Sequence, residues 1–212
     1  MALDFSAHPT ADLSAIAYPD RESSPSQSTC LLVMLHGWGA DARDLADLAP
    51  MLDLPNCQWR FVNAPFAHPQ IPGGRAWYDL ESQTFEGLSQ AKQGLRAYLL
   101  GLEAETGIPL ARTVLGGFSQ GGAMALDVGL TLPLAKIFSL SGYLHFQPEL
   151  QLQAIAPILL IHGTEDPVVP VRMAQQAKAE LEGIGAAVEY QEFPMGHAIP
   201  PMALVRLKSF LS

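Results

Sequence analysis

Ser119 lies in Gly117-Phe118-Ser119-Gln120-Gly121, a Gly-x-Ser-x-Gly pattern. A β-rich run, Arg112-Thr113-Val114-Leu115, precedes it, and a helix-like run, Ala123 to Val128, follows. Strand, tight turn and helix are the context of a nucleophile elbow, where strained backbone presents a serine hydroxyl at the end of a sheet. Glycines are needed at 117 and 121 because side chains there would clash as strand and helix converge. The helix N-terminus then faces any negative charge that develops beside the serine. A glycine-rich turn after a strand could equally cradle a phosphate, so the pattern needs partners.

A serine nucleophile needs a base and an acid that orients the base. Pro157 to Ile161 is a short apolar run that ends in His162-Gly163-Thr164-Glu165-Asp166-Pro167. It reads as a buried parallel strand followed by a loop carrying Asp166. Val188 to Phe193 alternates like a half-buried strand, and Met195-Gly196-His197 follows it. Ser119 and Asp166 are 47 positions apart, and Asp166 and His197 are 31 apart. Each interval has room for a crossover helix and a strand. The order Ser, Asp, His at three strand ends is the one this kind of elbow uses. His197 is the expected general base and acid, and Asp166 the group that holds its tautomer. Taken singly, Asp166 reads as a turn aspartate and His197 as a loop histidine; their joint order makes the catalytic reading the stronger one.

Charge developing on a substrate carbonyl oxygen needs donors. Leu31 to Leu35 is a buried-strand run, and His36-Gly37-Trp38-Gly39 follows it. Glycines in that loop let its amides turn inward. The expected oxyanion donors are the backbone N–H groups of Trp38 and Gln120. His36 and His162 are read as structural histidines that bond to backbone.

These four segments together resemble the phospholipase/carboxylesterase family of α/β-hydrolases, which includes acyl-protein thioesterases and small bacterial carboxylesterases. The resemblance covers roughly residues 28 to 212 and includes Ala76-Trp77-Tyr78-Asp79, similar to a Trp-aromatic-Asp stretch near the family's acyl groove. It implies a Ser119–Asp166–His197 triad with oxyanion amides at Trp38 and Gln120, and it suggests a homodimer; the chemistry expected of these residues needs no cofactor and no metal. Two departures bear on acyl preference. Trp38 is larger than the Leu expected at its position, and Ala40-Asp41 stands where an Asp usually follows the second glycine directly. A bulky indole near the acyl entrance is expected to shorten the accepted chain.

The elements that must position these residues alternate after residue 30. Strands are expected near 31–36, 59–63, 112–118, 136–141, 157–162 and 187–193. Helices are expected near 41–51, 85–105, 120–131, 170–183 and 198–211. This is an α/β pattern, a mostly parallel sheet with helices on both faces. The 212 residues fit one domain, with residues 1–28 supplying an edge strand near 12–18 and a polar loop, Arg21 to Thr29, before the core. Residues 64–84, rich in Pro and Gly, are too long for a plain connection. They are expected to wall an acyl groove with Trp77 and Phe66, although Trp77 could equally pack in the core.

The net charge of −9 disfavours nucleic acid and anionic membrane surfaces as partners. No apolar stretch reaches transmembrane length, no leader pattern opens the chain, and neither metal-ligand spacing nor a nucleotide glycine pattern occurs. Cys30 and Cys57 are the only cysteines. Free buried thiols in a reducing cytoplasm are the default, and a disulfide remains compatible. The functional expectation is a serine hydrolase of carboxylic esters with short to medium acyl chains, acting on a small-molecule or lipid-like substrate without stable membrane insertion. A thioesterase or lysophospholipase would use the same triad. A non-catalytic binding scaffold is the alternative from a different class.

Overall fold

The computed structural model describes residues 13–18, 29–148 and 154–212. Its centre is a seven-stranded sheet. The strands are β1 (Ala15–Tyr18), β2 (Cys30–Leu35), β3 (Cys57–Val62), β6 (Thr113–Phe118), β7 (Lys136–Leu140), β8 (Ile158–Gly163) and β9 (Val188–Phe193). A separate two-residue pairing joins β4 (Phe66–Ala67) to β5 (Arg75–Ala76). The helices are α1 (Leu48–Leu52), α2 (Leu88–Thr106), α3 (Gln120–Gly129), α4 (Val171–Gly183) and α5 (Pro201–Leu211).

Strand order across the sheet is β1-β3-β2-β6-β7-β8-β9. Every pairing is parallel except that of β1 with β3 at one edge. The apolar runs form strands because they are buried on both faces. Leu31, Val33 and Leu35 point into one core and Leu32 and Met34 into the other. Ile158 and Leu160 against Leu159 and Ile161 repeat the alternation in β8. Helices α2, α3 and α4 cover the first face through Leu95, Leu99, Met124 and Leu181. Helices α1 and α5 cover the second through Leu52, Leu204, Leu207 and Phe210.

The chain runs from β2 outward to β3, then returns to place β6 on the other side of β2. The switch in strand order therefore falls between β2 and β6, where open α/β sheets leave a crevice at the carboxyl ends. The loop after β2 and the turn between β6 and α3 flank that crevice.

Several expectations shift in detail. The single helix expected over 41–51 is a 3-10 turn at Ala42–Leu45 followed by α1. Pro50 accounts for the break: a continuous helix would drive its ring into the Ala46 carbonyl and lose a hydrogen bond. Helix α2 begins at Leu88 rather than 85, after Phe85 and Gly87, both at positive φ. Pro200 precedes α5 and Pro201 opens it, so that helix starts three residues later than expected. The edge strand before the core is seen as β1; the polar loop ahead of Thr29 lies outside the described residues.

The free-thiol expectation is corrected. Cys30 and Cys57 face each other in the β2–β3 register and are joined as a disulfide, with Cα atoms 4.8 Å apart. Parallel neighbours at that separation lie within bridging range.

Candidate active site

Ser119 stands between β6 and α3 with φ 55° and ψ −119°. A non-glycine residue at such angles is strained by roughly 1–3 kcal/mol, which the surroundings must offset. Its N–H donates to the Leu140 carbonyl at 2.8 Å, and its own carbonyl accepts the Ala123 N–H at 3.0 Å. A Cβ on Gly117 would run into the Gly121 carbonyl, and one on Gly121 into the carbonyls of Leu35 and His36. The start of α3 thus lies directly against the end of β2. This close approach brings the Gln120 amide beside the 36–39 loop.

His197 follows β9. Its Nε2 is 2.9 Å from Ser119 Oγ and its Nδ1 is 2.7 Å from Asp166 Oδ2. Asp166 lies on the loop after β8, its carboxylate fully enclosed. Its other oxygen, Oδ1, accepts the N–H groups of Val168 at 2.8 Å and Val169 at 2.9 Å. Burial alone would raise this carboxyl. The His197 hydrogen bond, the two amides and the histidine charge outweigh burial and hold it below the usual carboxylate range. The imidazole is therefore gripped on its Nδ1 side, with Nε2 aimed at the hydroxyl. Such a chain can take the serine proton and stabilise the imidazolium that results.

The amides of Trp38 and Gln120 donate to no acceptor among the described residues. Gln120 is the first residue of α3, where an N–H has no helical partner. Gly39 takes φ +78°, and its N–H donates to the Arg75 carbonyl at 2.9 Å. Arg75 in turn donates its N–H to the Ala40 carbonyl at 2.9 Å. Strand β5 is therefore a buttress that pins the loop after β2.

His36 and His162 make the backbone bonds expected of them. His36 Nδ1 lies 2.8 Å from the Gly37 carbonyl, and Nε2 accepts the Ala64 N–H at 3.0 Å. Burial pushes its pKa down, so the ring stays neutral in this role. His162 Nε2 lies 2.8 Å from the Val169 carbonyl, tying down the turn that wraps Asp166.

Trp77 and Phe66 require correction as groove residues. Both are buried in the core on the α2–α3 face, and neither lines the cleft at Ser119. Trp77 instead donates its indole N–H to the His36 carbonyl at 3.0 Å and its backbone N–H to Gln120 Oε1 at 3.0 Å. Gln120 Nε2 donates to the Tyr78 carbonyl at 2.8 Å. Through these three bonds Gln120 and Trp77 clamp the turn at Ser119 to the loop after β2. Of residues 64–84, Leu80 lines the cleft. The Gln120 side chain was legible only as the residue after the serine, since nothing in the pattern says where an amide points.

The cleft above Ser119 has a volume of about 540 Å³. Its walls include Trp38, Leu45, Leu48, Leu80, Val168 and Ile199, an apolar setting that Ser119 and His197 also line. Trp38 is held edge-on against His68, ring centroids 4.6 Å apart. Among the described residues no group of three or more His, Cys, Asp or Glu side chains is placed to hold a metal. No helix among them is long and apolar enough to cross a membrane.

An elbow serine, a histidine and a buried aspartate, hydrogen-bonded in series at the carboxyl edge of such a sheet, define the class of α/β-hydrolase serine hydrolases. Within it, the phospholipase/carboxylesterase family profile matches residues 17–212, and the chain belongs to that family. Acyl-protein thioesterase 1 of Gibberella zeae is 30% identical over 88% of this chain and 91% of that protein. Acyl-protein thioesterase 1 of Schizosaccharomyces pombe is 34% identical over 67% of this chain and 70% of its own length. The crystal structure of esterase PE8 superposes with a TM-score of 0.85 at 35% identity, covering 94% of this chain and 97% of that one.

Proposed function

We propose that the protein hydrolyses carboxylic esters with short to medium acyl chains through an acyl-enzyme on Ser119. His197 takes the Ser119 proton as Oγ attacks the carbonyl carbon. The Trp38 and Gln120 amides receive the negative charge on the carbonyl oxygen. The tetrahedral species collapses as His197 protonates the departing alcohol. Water then attacks the acyl-enzyme carbonyl, His197 accepting its proton, and His197 returns that proton to Ser119 Oγ as the acyl C–O bond breaks and the acid leaves. One observation carries this reading: the hydrogen-bonded series Ser119–His197–Asp166 opens onto the cleft that Trp38 also lines.

The chain-length preference rests on Trp38, whose indole occupies cleft wall where a smaller side chain would leave room. Turnover of p-nitrophenyl esters from acetate to palmitate tests it. Activity is expected to peak at short chains and fall for long ones. Trp38→Leu is expected to move the peak to longer chains. A wild-type profile that rises with length would shift the reading to thioesterase action, the activity in the names of the two fungal relatives, or to lysophospholipase action; the same triad would perform either.

The proposed location is the cytoplasm, where the Cys30–Cys57 bond would be reduced. Thiol alkylation immediately on cell lysis gives its state directly. The proposed homodimer is carried by the family resemblance alone, and light scattering would show it.

A further inference from the structure

One charged side chain stands out in the cleft wall. Asp44 lines the same cavity as Ser119, and no lysine or arginine does so among the described residues. The turn that carries it is well defined. Asp41 Oδ1 accepts the Arg43 N–H at 2.7 Å, and the Asp44 N–H donates to the Asp41 carbonyl at 3.2 Å. Asp44 has no salt-bridge partner among the described residues, and it acts electrostatically on His36. Its neighbour Arg43 is exposed and outside the lining. Arg75 is outside it too, its guanidinium bonded to the carbonyls of Ala64 and Pro65. The carboxylate is therefore uncompensated within the cleft. Asp44 is exposed at the cleft wall, so solvent screens its charge in part, while the walls beside it, Leu45, Leu48 and Trp38, are apolar and supply no neutralising group.

We infer that Asp44 is a specificity-determining residue that selects uncharged or cationic esters against anionic ones. This inference rests on the esterase reading and names its substrate class. Triad and oxyanion geometry treat every ester alike, because they touch only the reacting carbonyl. An anionic substituent on either arm of the ester would enter a cavity holding a fixed negative charge and no basic group. Phosphate-bearing leaving groups and half-esters of dicarboxylic acids would both be poor substrates. A neutral ester of the same shape would meet no such barrier. The expected discrimination is about fivefold in kcat/KM, the size of a unit-charge repulsion at roughly 6 Å in a partly aqueous cleft.

The test compares matched pairs: p-nitrophenyl valerate with the p-nitrophenyl half-ester of glutaric acid, and phenyl butyrate with its 4-carboxyphenyl counterpart. The quantity read is the anionic-to-neutral ratio of kcat/KM in the wild type, Asp44→Asn and Asp44→Lys. Taking the ratio between proteins cancels the intrinsic reactivity of each ester. For at least one pair the ratio is expected to rise about fivefold in Asp44→Asn and further in Asp44→Lys. In the wild type it is expected to rise with added salt, which needs no folded variant. Ratios unchanged in both variants for both pairs overturn the inference, whatever salt does, because the repulsion would then come from elsewhere. Failure of the wild type to hydrolyse even the neutral esters would instead sink the esterase reading.

Discussion

Ser119, His197 and Asp166 are distant in the chain and adjacent in space, and each depends on backbone for its aim. Asp166 is the least expendable positioner, since its two oxygens serve different masters. Oδ2 meets His197 while Oδ1 is held by two amides. This arrangement makes stability depend on pH. The carboxyl is held below its usual value in the folded protein. Its contribution is therefore fully present above the unfolded carboxylate pKa, about 3.9, and is lost as pH falls through the lower folded value. The gap in unfolding free energy between wild type and Asp166→Asn is expected to be flat above about pH 5 and to narrow below about pH 4. Urea titrations at several pH values would show it. A gap that widens in acid would mean that the carboxylate is not stabilised by its partners. That Ser119, Asp166 and His197 would meet was legible because the chemistry expected of them restricts both their types and their order. Trp77 was not, since a large aromatic beside a glycine-rich loop reads the same whether it faces a cleft or a core.

At the scale of elements, the site depends on how closely α3 approaches β2. Gly121 has no room for a side chain, because a Cβ would meet two carbonyls at the end of β2. Gly121→Ala is expected to cost about 1–3 kcal/mol of stability and to lower kcat more than it raises KM, because the displaced amide is Gln120's. Thermal denaturation and steady-state kinetics check the two halves separately. Full activity in a protein of wild-type stability would show that the elbow has slack. The strands that bear the site were visible as apolar runs, and the helices as the polar and amphipathic segments between them. Strands β4 and β5 were not visible, because two-residue strands carry no periodicity. Their role as a buttress arises from Arg75 pairing with Gly39 and Ala40, a long-range contact. The broken helix over 41–51 was readable in principle from Pro50.

Across the whole molecule, two cores on opposite faces of the sheet hold the crevice open at one edge. The Cys30–Cys57 bond lies at the start of β2 and β3, away from the strand ends that carry the triad. It closes a segment with a sequence separation of 27 residues, for which chain-entropy arguments give a stabilisation of about 3–4 kcal/mol. Reduction, or the Cys30→Ser and Cys57→Ser double variant, is expected to lower the melting temperature while leaving kcat/KM for short esters nearly unchanged. Loss of activity at temperatures where the reduced protein remains folded would couple the bond to the site. Pairing of the cysteines could not be read from the chain, because it requires the register of two parallel strands. Strand order carries the same lesson: that β6 returns beside β2 depends on packing between segments far apart in sequence.

The central claim is that Ser119 is the nucleophile of an ester-hydrolysing enzyme. A fluorophosphonate that reacts with activated serines, followed by peptide mass mapping, tests it most directly when run beside p-nitrophenyl butyrate turnover. A single adduct on Ser119 is expected, forming more slowly while excess substrate is present. Ser119→Ala is expected to lose label and about 10⁴-fold or more of its turnover while keeping its fold. An adduct on another residue, or a pure Ser119→Ala protein that still turns over ester within tenfold of wild type, would contradict the account.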